Sequence, residues 1–139
     1  MAATRTADDH PHDACGVVGV YSRGDDVARD AFFGLYALQH RGQESAGIAA
    51  ASDGRVRLSR AMGYVGDAFN ERVLAGLPGS SAIGHVRYST FGDSRIVNAQ
   101  PLLIDCSHGQ IALCHNGNLI NAMELRDELV RQGSIFQTN

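Results

Sequence analysis

The sequence lacks the features that mark membrane, secreted and nucleic-acid-binding proteins. No apolar stretch among its 139 residues approaches the roughly 18 residues of a membrane span. The net charge is −3 and basic residues form no run, so no Lys and Arg cluster is available for phosphate groups. Residues 1–14 are mostly polar and have no apolar centre, which excludes a secretory signal. With only three cysteines, an odd number, we expect a cytoplasmic protein with free thiols that binds neither membrane nor nucleic acid.

Composition and patterning predict one α+β domain. Hydrophobic residues make up 44% of the chain and charged residues 19%, which is typical of globular proteins, and no internal repeat is present. Apolar residues at helical spacing predict a helix over residues 26–40 with Val27, Ala31, Leu35 and Leu38 on one face. A short helix is predicted near residues 67–75. A third helix is predicted after Asn121, with a capping box to Glu124, an apolar face formed by Leu125, Leu129 and Val130, and its end at Gly133.

Predicted strands outnumber these helices. They lie over residues 15–22, 45–50, the stretch with Val56 and Leu58, 82–88, 102–106 and 111–115. Asp53-Gly54 predicts one hairpin and residues 107–110 predict another. The hairpins indicate antiparallel sheet with helices packed on its faces. Residues 134–139 are typical of the start of a further strand.

Cys15 begins the first predicted strand, directly behind the polar leader. If the leader were removed, the thiol would be a nucleophile and the α-amine of the same residue its base, because their pKa values, about 8.5 and 7.7–8.0, are close. With the leader attached, the nitrogen is an amide and cannot act as a base. The alternative, which spacing alone favours, is a small core residue, because free cysteines are commonly buried.

Two further segments carry polar groups suited to a substrate. Arg87 ends a predicted strand and precedes Ser89 and Thr90, an arrangement that suits capture of a carboxylate. Its alternative is an ordinary surface salt bridge. Asn116-Gly117 follows a strand, and its side-chain amide and backbone N–H could together stabilise an oxyanion. The alternative there is a plain turn.

Five segments of distinctive sequence occur in a fixed order. They are residues 15–20, 38–48, 84–90, 99–101 and 115–119. Together they closely resemble the glutaminase domain of the amidophosphoribosyltransferase family, from about residue 13 to the last residue. The stretch from Gln39 to Gly47 separates the chain from the sister family that makes glucosamine 6-phosphate, which is the nearest alternative. The leader also fits, because one branch of the family carries a short propeptide before the cysteine.

The resemblance implies a fold and a domain division. The fold would be the four-layered αββα sandwich of N-terminal nucleophile (Ntn) hydrolases, incomplete at the C-terminus. Residues 1–14 would be a propeptide, and residues 15–139 part of a type 2 glutamine amidotransferase domain. Arg41 and Gly42 would support the site by shaping the surroundings of the nucleophile.

The resemblance also implies roles for individual residues. Cys15 would attack the side-chain amide of glutamine and give a thioester and ammonia. Arg87 would bind the substrate α-carboxylate, with Thr90 lining the same pocket. The Asn116 side chain and the Gly117 N–H would stabilise the oxyanion.

The complete enzyme implied by the resemblance carries out the first step of de novo purine synthesis. It uses the ammonia to convert phosphoribosyl pyrophosphate to 5-phosphoribosylamine in a second domain. Mg²⁺ and, in propeptide-bearing relatives, a 4Fe–4S cluster would belong to a part beyond Asn139, with no cofactor inside this chain. A homo-oligomer, a tetramer, is implied for the full-length protein.

The end of the sequence departs from the family pattern. The family places an Asp that binds the substrate α-amino group after a Phe-x-Thr-x-Ser segment, whereas here Phe136-Gln137-Thr138-Asn139 is the end. We therefore expect open strand edges, uncovered apolar surface, and weak or absent glutamine hydrolysis by this chain alone.

A metal-binding module is the alternative from a different class. Cys106, His108, Cys114 and His115 cluster across the second predicted hairpin and could hold zinc. However, Cys114 and His115 are adjacent and would point to opposite faces of a strand, and the cysteines lack the two-residue spacing of a zinc knuckle. We therefore expect no metal site in this chain.

Overall fold

A four-stranded antiparallel sheet forms the centre of the structure, a computed structural model that describes residues 15–24, 26–88 and 93–136. The strands are β1 Gly16–Tyr21, β2 Ser45–Ser52, β3 Arg55–Met62, β4 Ser81–Arg87, β5 Leu102–Cys106 and β6 Gly109–Leu113. The α-helices are α1 Val27–Ala37, α2 Val65–Ala68, α3 Glu71–Ala75 and α4 Ala122–Arg131, and 3₁₀ turns lie at Gln39–Arg41 and Ile96–Asn98. The larger sheet has the order β1-β4-β2-β3, and β5 pairs with β6 in a second sheet.

Helix α1 covers one face of the larger sheet. Three members of the predicted apolar face, Val27, Ala31 and Leu35, are fully buried in the core, whereas the fourth, Leu38, follows the helix and is partly buried against the core. Leu35 lies directly against the β4 backbone at Gly84, where an added Cβ would be 2.9 Å from Leu35 Cδ1. The helix ends at Ala37, before the predicted residue 40, and the chain continues into the first 3₁₀ turn.

The opposite face of the sheet carries buried polar residues. Side chains alternate along a strand, so His85 and Arg87 of β4 point away from the face that α1 covers. Gly47 of β2 pairs with His85, and a Cβ there would overlap the Gln100 carbonyl oxygen. The segment around Gln100 therefore lies directly on the sheet backbone.

Both predicted hairpins are present. Asp53 and Gly54 have φ values of 52° and 75° and form a two-residue turn between Ser52 and Arg55. The second turn is shorter than predicted, because Cys106 pairs with Gly109 and only residues 107–108 form the loop.

Strand β6 also ends earlier than predicted, at Leu113 instead of residue 115. The reason is that the His115 backbone bonds to side chains elsewhere: its N–H to Gln100 and its C=O to His85. Cys114 and His115 therefore lie beyond the strand.

Two local predictions for the helices need correction. The helix predicted near 67–75 is two short helices, because the backbone is extended at Phe69 and Asn70. Asn70 caps the second helix by accepting from the Val73 N–H at 3.0 Å. The capping box at Asn121 is wrong, since this N-cap residue makes no side-chain cap hydrogen bond. The predicted end of α4 is confirmed: Gly133 has a φ of 91° and the Ser134 N–H donates to the Leu129 carbonyl at 2.9 Å.

The described residues confirm only the coarser part of the predicted fold. Mixed α and β structure with antiparallel sheets is confirmed, but the four-layer sandwich is not. The second sheet has two strands, and α4 has no buried residue. Ile104, Ile111 and Leu113 of the small sheet are exposed, as is most of the α4 apolar face. Residues 134–136 form no strand, and residues 137–139 lie outside the described part.

Candidate active site

Cys15 lies immediately before β1, at the end of β4. Because β1 and β4 are antiparallel and Gly16 pairs with Val86, the start of one strand meets the end of the other. The Tyr88 N–H donates to Cys15 Sγ at 3.3 Å, and Sγ donates to the Tyr88 carbonyl at 3.5 Å. The half-buried thiol is thus held beside the predicted substrate-binding segment. Residues 1–14 lie outside the described part of the chain.

The backbone carbonyl of Cys15 is bonded by two other predicted site residues. Asn116 Nδ2 donates to this oxygen at 2.9 Å, and Arg41 Nε donates at 3.4 Å. Cys15, Arg41 and Asn116 come from three separate parts of the sequence. The structure therefore brings all three together at one peptide group.

Gly42 lies against the end of β4. A Cβ at this position would be 2.6 Å from both the carbonyl carbon and the carbonyl oxygen of Arg87. No larger residue fits there without moving one of the two backbones. Gly42 thereby allows the turn that carries Arg41 to approach the strand that carries Arg87.

Gln39 fixes this turn from the other side, a role that the sequence analysis missed. Its Nε2 donates to the Gly42 carbonyl at 2.6 Å, and its Oε1 accepts from the Val65 N–H at 2.7 Å. One side chain therefore joins the turn to the start of α2. The only sequence signal for Gln39 was its place in the motif that distinguishes the family.

Arg87 forms an ion pair with Glu44. Arg87 Nη1 lies 2.6 Å from Glu44 Oε1, and the two side chains are only 8% and 15% exposed. Arg87 Nη1 also donates to the Asp93 carbonyl at 3.1 Å. The salt bridge weighed in the sequence analysis is thus present, but it is buried. The sequence analysis did not identify Glu44 as the partner of Arg87. Glu44 directly precedes β2, whose first residue, Ser45, pairs with Arg87 in β4.

The other predicted substrate-binding residue, Thr90, lies outside the described residues. Gly117, the second predicted oxyanion donor, has a φ of 156°, which residues with side chains rarely adopt.

His85 is a buried residue next to this site that the sequence analysis did not single out. Its Nε2 donates to the His115 carbonyl at 3.1 Å. Burial lowers the pKa of His85 to about 4, so the ring is neutral near pH 7 and carries its proton on Nε2. His115 is also bonded through its backbone N–H, which donates to Gln100 Oε1 at 2.7 Å.

The cysteines of the proposed metal module lie in different surroundings. Exposed Cys106 donates to the Gly109 carbonyl within the hairpin, whereas half-buried Cys114 lies against the Gly84 carbonyl of the larger sheet. Burial raises the pKa of the Cys114 thiol and so disfavours the thiolate that binds metal. Within residues 15–24, 26–88 and 93–136, no three His, Cys, Asp or Glu side chains are grouped to hold a metal.

None of the helices in the described ranges is both long enough and apolar enough to cross a membrane.

Curated proteins similar to this chain share one name. An amidophosphoribosyltransferase of Synechococcus elongatus is 57% identical over 130 residues, which cover 94% of this chain and 26% of that protein. One from Archaeoglobus fulgidus is 51% identical and covers 90% of this chain and 27% of its own length. A chloroplastic one from Vigna aconitifolia is 50% identical, with 94% and 27% covered. The chain thus spans about a quarter of the length of these relatives.

Solved structures agree with these relatives, whereas no family model matches the chain. A glutamine phosphoribosylpyrophosphate amidotransferase from B. subtilis, complexed with ADP and GMP, superposes with a TM-score of 0.78 at 42% identity. A structure described as the allosteric regulatory enzyme of purine biosynthesis gives a TM-score of 0.81 at 42% identity. Each match covers 88% of this chain and 26% of the other chain.

Proposed function

Since this chain belongs to the amidophosphoribosyltransferase family over the region that it spans, we propose that it forms part of a glutaminase domain that releases ammonia from glutamine. The observation that carries the proposal is the convergence of Cys15, Arg41 and Asn116 on one peptide group. A half-buried thiol, an amide donor and a buried guanidinium then lie around the meeting point of β1 and β4.

The chemistry would begin at Cys15 after removal of residues 1–14. Its α-amine would take the thiol proton, and Sγ would bond to the side-chain amide carbon of glutamine. The amide oxygen would then carry the negative charge of the tetrahedral intermediate. Collapse of this intermediate would break the C–N bond, and the α-ammonium would supply the proton with which ammonia leaves.

Hydrolysis would complete the cycle. The α-amine would take a proton from water, and the hydroxide formed would attack the thioester carbon. The carbon–sulfur bond would then break, glutamate would leave, and the thiol would regain its proton. Glutamine and water are thus the only reactants of the cycle, and glutamate and ammonia are its products.

The oxyanion would be stabilised by Asn116 and Gly117. Asn116 Nδ2 carries two hydrogens, and one of them is used at the Cys15 carbonyl, 2.9 Å away. The second hydrogen could therefore serve an oxyanion that forms on the carbon bonded to Sγ of the same cysteine. Losing one donor of this kind typically costs about 2.7–4 kcal/mol of barrier.

The substrate would be oriented by its α-carboxylate. Arg87 would bind this group, and Thr90 would line the same pocket. The ion pair with Glu44 supports the assignment, because it fixes the position of the guanidinium next to the strand end that holds the thiol. Arg41 and Gly42 would keep the turn above the nucleophile in place.

In the longer protein, the ammonia would convert phosphoribosyl pyrophosphate to 5-phosphoribosylamine in another domain. Mg²⁺ and a 4Fe–4S cluster would belong to that part of the protein. We also propose a cytoplasmic tetramer whose glutaminase domain is a complete αββα sandwich, with residues 1–14 as its propeptide.

The test is glutamine hydrolysis by the full-length product of the gene. We expect intact mass spectrometry to show a mature chain that begins at Cys15 and releases ammonia from glutamine. Cys15→Ser should abolish the release, whereas Cys106→Ser, which changes an exposed cysteine on the β5–β6 hairpin, should leave it unchanged. Ammonia release by Cys15→Ser at the original rate would overturn the proposal.

A further inference from the structure

The peptide groups that flank His115 are held from two sides. The His115 N–H donates to Gln100 Oε1 at 2.7 Å, and its carbonyl accepts from His85 Nε2 at 3.1 Å. The next residue is Asn116, whose side chain reaches the Cys15 carbonyl. These two bonds, which we call the His115 clamp, therefore lie one residue from the proposed oxyanion donor.

The clamp has fixed supports. His85 belongs to β4 and is fully buried. Gln100 is held by its backbone, which lies directly on Gly47 of β2. The preceding carbonyl, that of Ala99, accepts from Arg60 Nη1 of β3 at 2.5 Å. Both ends of the clamp are thus anchored on the larger sheet.

Asn116 itself has no comparable support from regular structure. Residues 114–119 belong to no strand or helix, and Asn116 is exposed. Gly117 follows with an unusual backbone conformation and no neighbouring atom where a Cβ would lie. On the side that precedes Asn116, the clamp connects this loop to the larger sheet through two hydrogen bonds to the backbone, next to the contact of the Cys114 thiol with the Gly84 carbonyl at 3.8 Å.

A buried imidazole is a costly choice for this position. His85 Nδ1 is buried and has no hydrogen-bond partner among the described residues. A leucine of similar size would avoid that desolvation cost, because it carries no polar atom. The hydrogen bond that the ring makes to His115 is therefore the observation that explains a histidine here.

We propose that His85 and Gln100 are positioning residues that hold Asn116 at its place beside Cys15. The functional part of this inference rests on the proposed glutaminase activity. Both side chains act on the site through the His115 backbone, to which they bond. Their removal should therefore weaken stabilisation of the oxyanion and leave binding of the substrate α-carboxylate largely intact.

The kinetic signature distinguishes positioning from general structural support. An interaction that strengthens only in the transition state affects kcat, whereas uniform binding affects KM. A donor displaced by about 1 Å can cost on the order of 100-fold in rate. We expect His85→Leu and Gln100→Leu to lower kcat by about ten- to a hundredfold at an unchanged KM for glutamine.

Two conservative variants should rescue activity. His85→Gln keeps a terminal N–H that can reach the His115 carbonyl, and Gln100→Glu keeps an oxygen that accepts from the His115 N–H. We expect both to retain kcat within about threefold of the unaltered enzyme, and His108→Leu, on the exposed hairpin turn, to match it. If His85→Leu does not fold, Gln100→Leu, at a half-buried position, makes the same test.

The measurements use the full-length gene product, with glutamine as substrate. Unchanged kcat in both leucine variants, or a loss in the conservative variants as large as in the leucine variants, would overturn the inference. An unaltered protein without glutaminase activity would instead refute the proposed function. In that case, crystal structures of the unaltered protein and of Gln100→Leu test the positioning of Asn116. The bond from Asn116 Nδ2 to the Cys15 carbonyl should be lost in Gln100→Leu, and its retention would contradict the inference.

Discussion

Replacing Glu44 by glutamine tests how much the buried ion pair contributes to stability. The change removes one negative charge and keeps the shape of the side chain. It removes the carboxylate that lies 2.6 Å from Nη1 of the Arg87 guanidinium, which is 8% exposed. Removing one member of a buried pair costs more than the pair is worth, because the remaining charge stays desolvated.

The expected loss is large for a chain of this size. Breaking a buried pair typically costs about 3–5 kcal/mol, and the amide that replaces the carboxylate can still accept a hydrogen bond, so about 3 kcal/mol is expected. Domains are stable by only about 5–15 kcal/mol. A loss of about 3 kcal/mol should therefore lower the Tm of this domain by about 10 °C.

The exposed pair between Arg29 and Glu71 provides a matched control. It also joins an arginine to a glutamate, at 2.7 Å, but the side chains are 37% and 76% exposed. Solvent screens such pairs, and even this contact of two hydrogen bonds should contribute little, so Glu71→Gln should lower the Tm by about 3 °C at most. Urea unfolding and calorimetry of both variants measure the difference. Equal destabilisation by the two substitutions would refute the argument from burial.

Three further predictions concern single positions. Gly42→Ala should lower the free energy of unfolding in urea by about 1–3 kcal/mol, because its Cβ would overlap the end of β4. Gly19→Ala, whose Cβ would have no atom within 4 Å, should leave this free energy unchanged, and equal effects of the two substitutions would contradict the prediction. His85 has a pKa of about 4 in the fold against about 6.5 when unfolded, so the stability it confers is complete above pH 6.5 and is lost as the pH falls towards 4. This loss of about 3 kcal/mol in the free energy of unfolding should be absent in His85→Gln. If the free energy of unfolding depended on pH in the same way in both proteins, the contribution of His85 would be excluded. Asn70→Ala should cost about 1 kcal/mol by removing the cap on the Val73 N–H, and an unchanged urea midpoint would show that the cap contributes nothing.

Local patterns in the sequence predicted local structure well. The apolar spacing of α1 placed Val27, Ala31 and Leu35 in the core, and Asp53-Gly54 formed the predicted turn. Both depend on residues close in sequence, whose geometry is set by the backbone.

Features that depend on distant partners were missed. The end of β6 is decided by His85 and Gln100, and no pattern near residue 113 carries that information. Glu44 and Gln39 gave no signal of their partners for the same reason: burial and pairing arise only when β2, β4 and α2 come together. The roles of Cys15 and of the Asn116 loop were suggested only weakly by their own residues, and far more strongly by the order of the motifs.

Trapping of the acyl intermediate tests the role of Cys15 most directly. The mature full-length protein would be mixed with glutamine, quenched in acid and digested for mass spectrometry. We predict a glutamyl thioester on the peptide that begins at Cys15, together with released ammonia. Ammonia release with no adduct on Cys15, or with the adduct on Cys106 or Cys114, would contradict the assignment of Cys15 as the nucleophile.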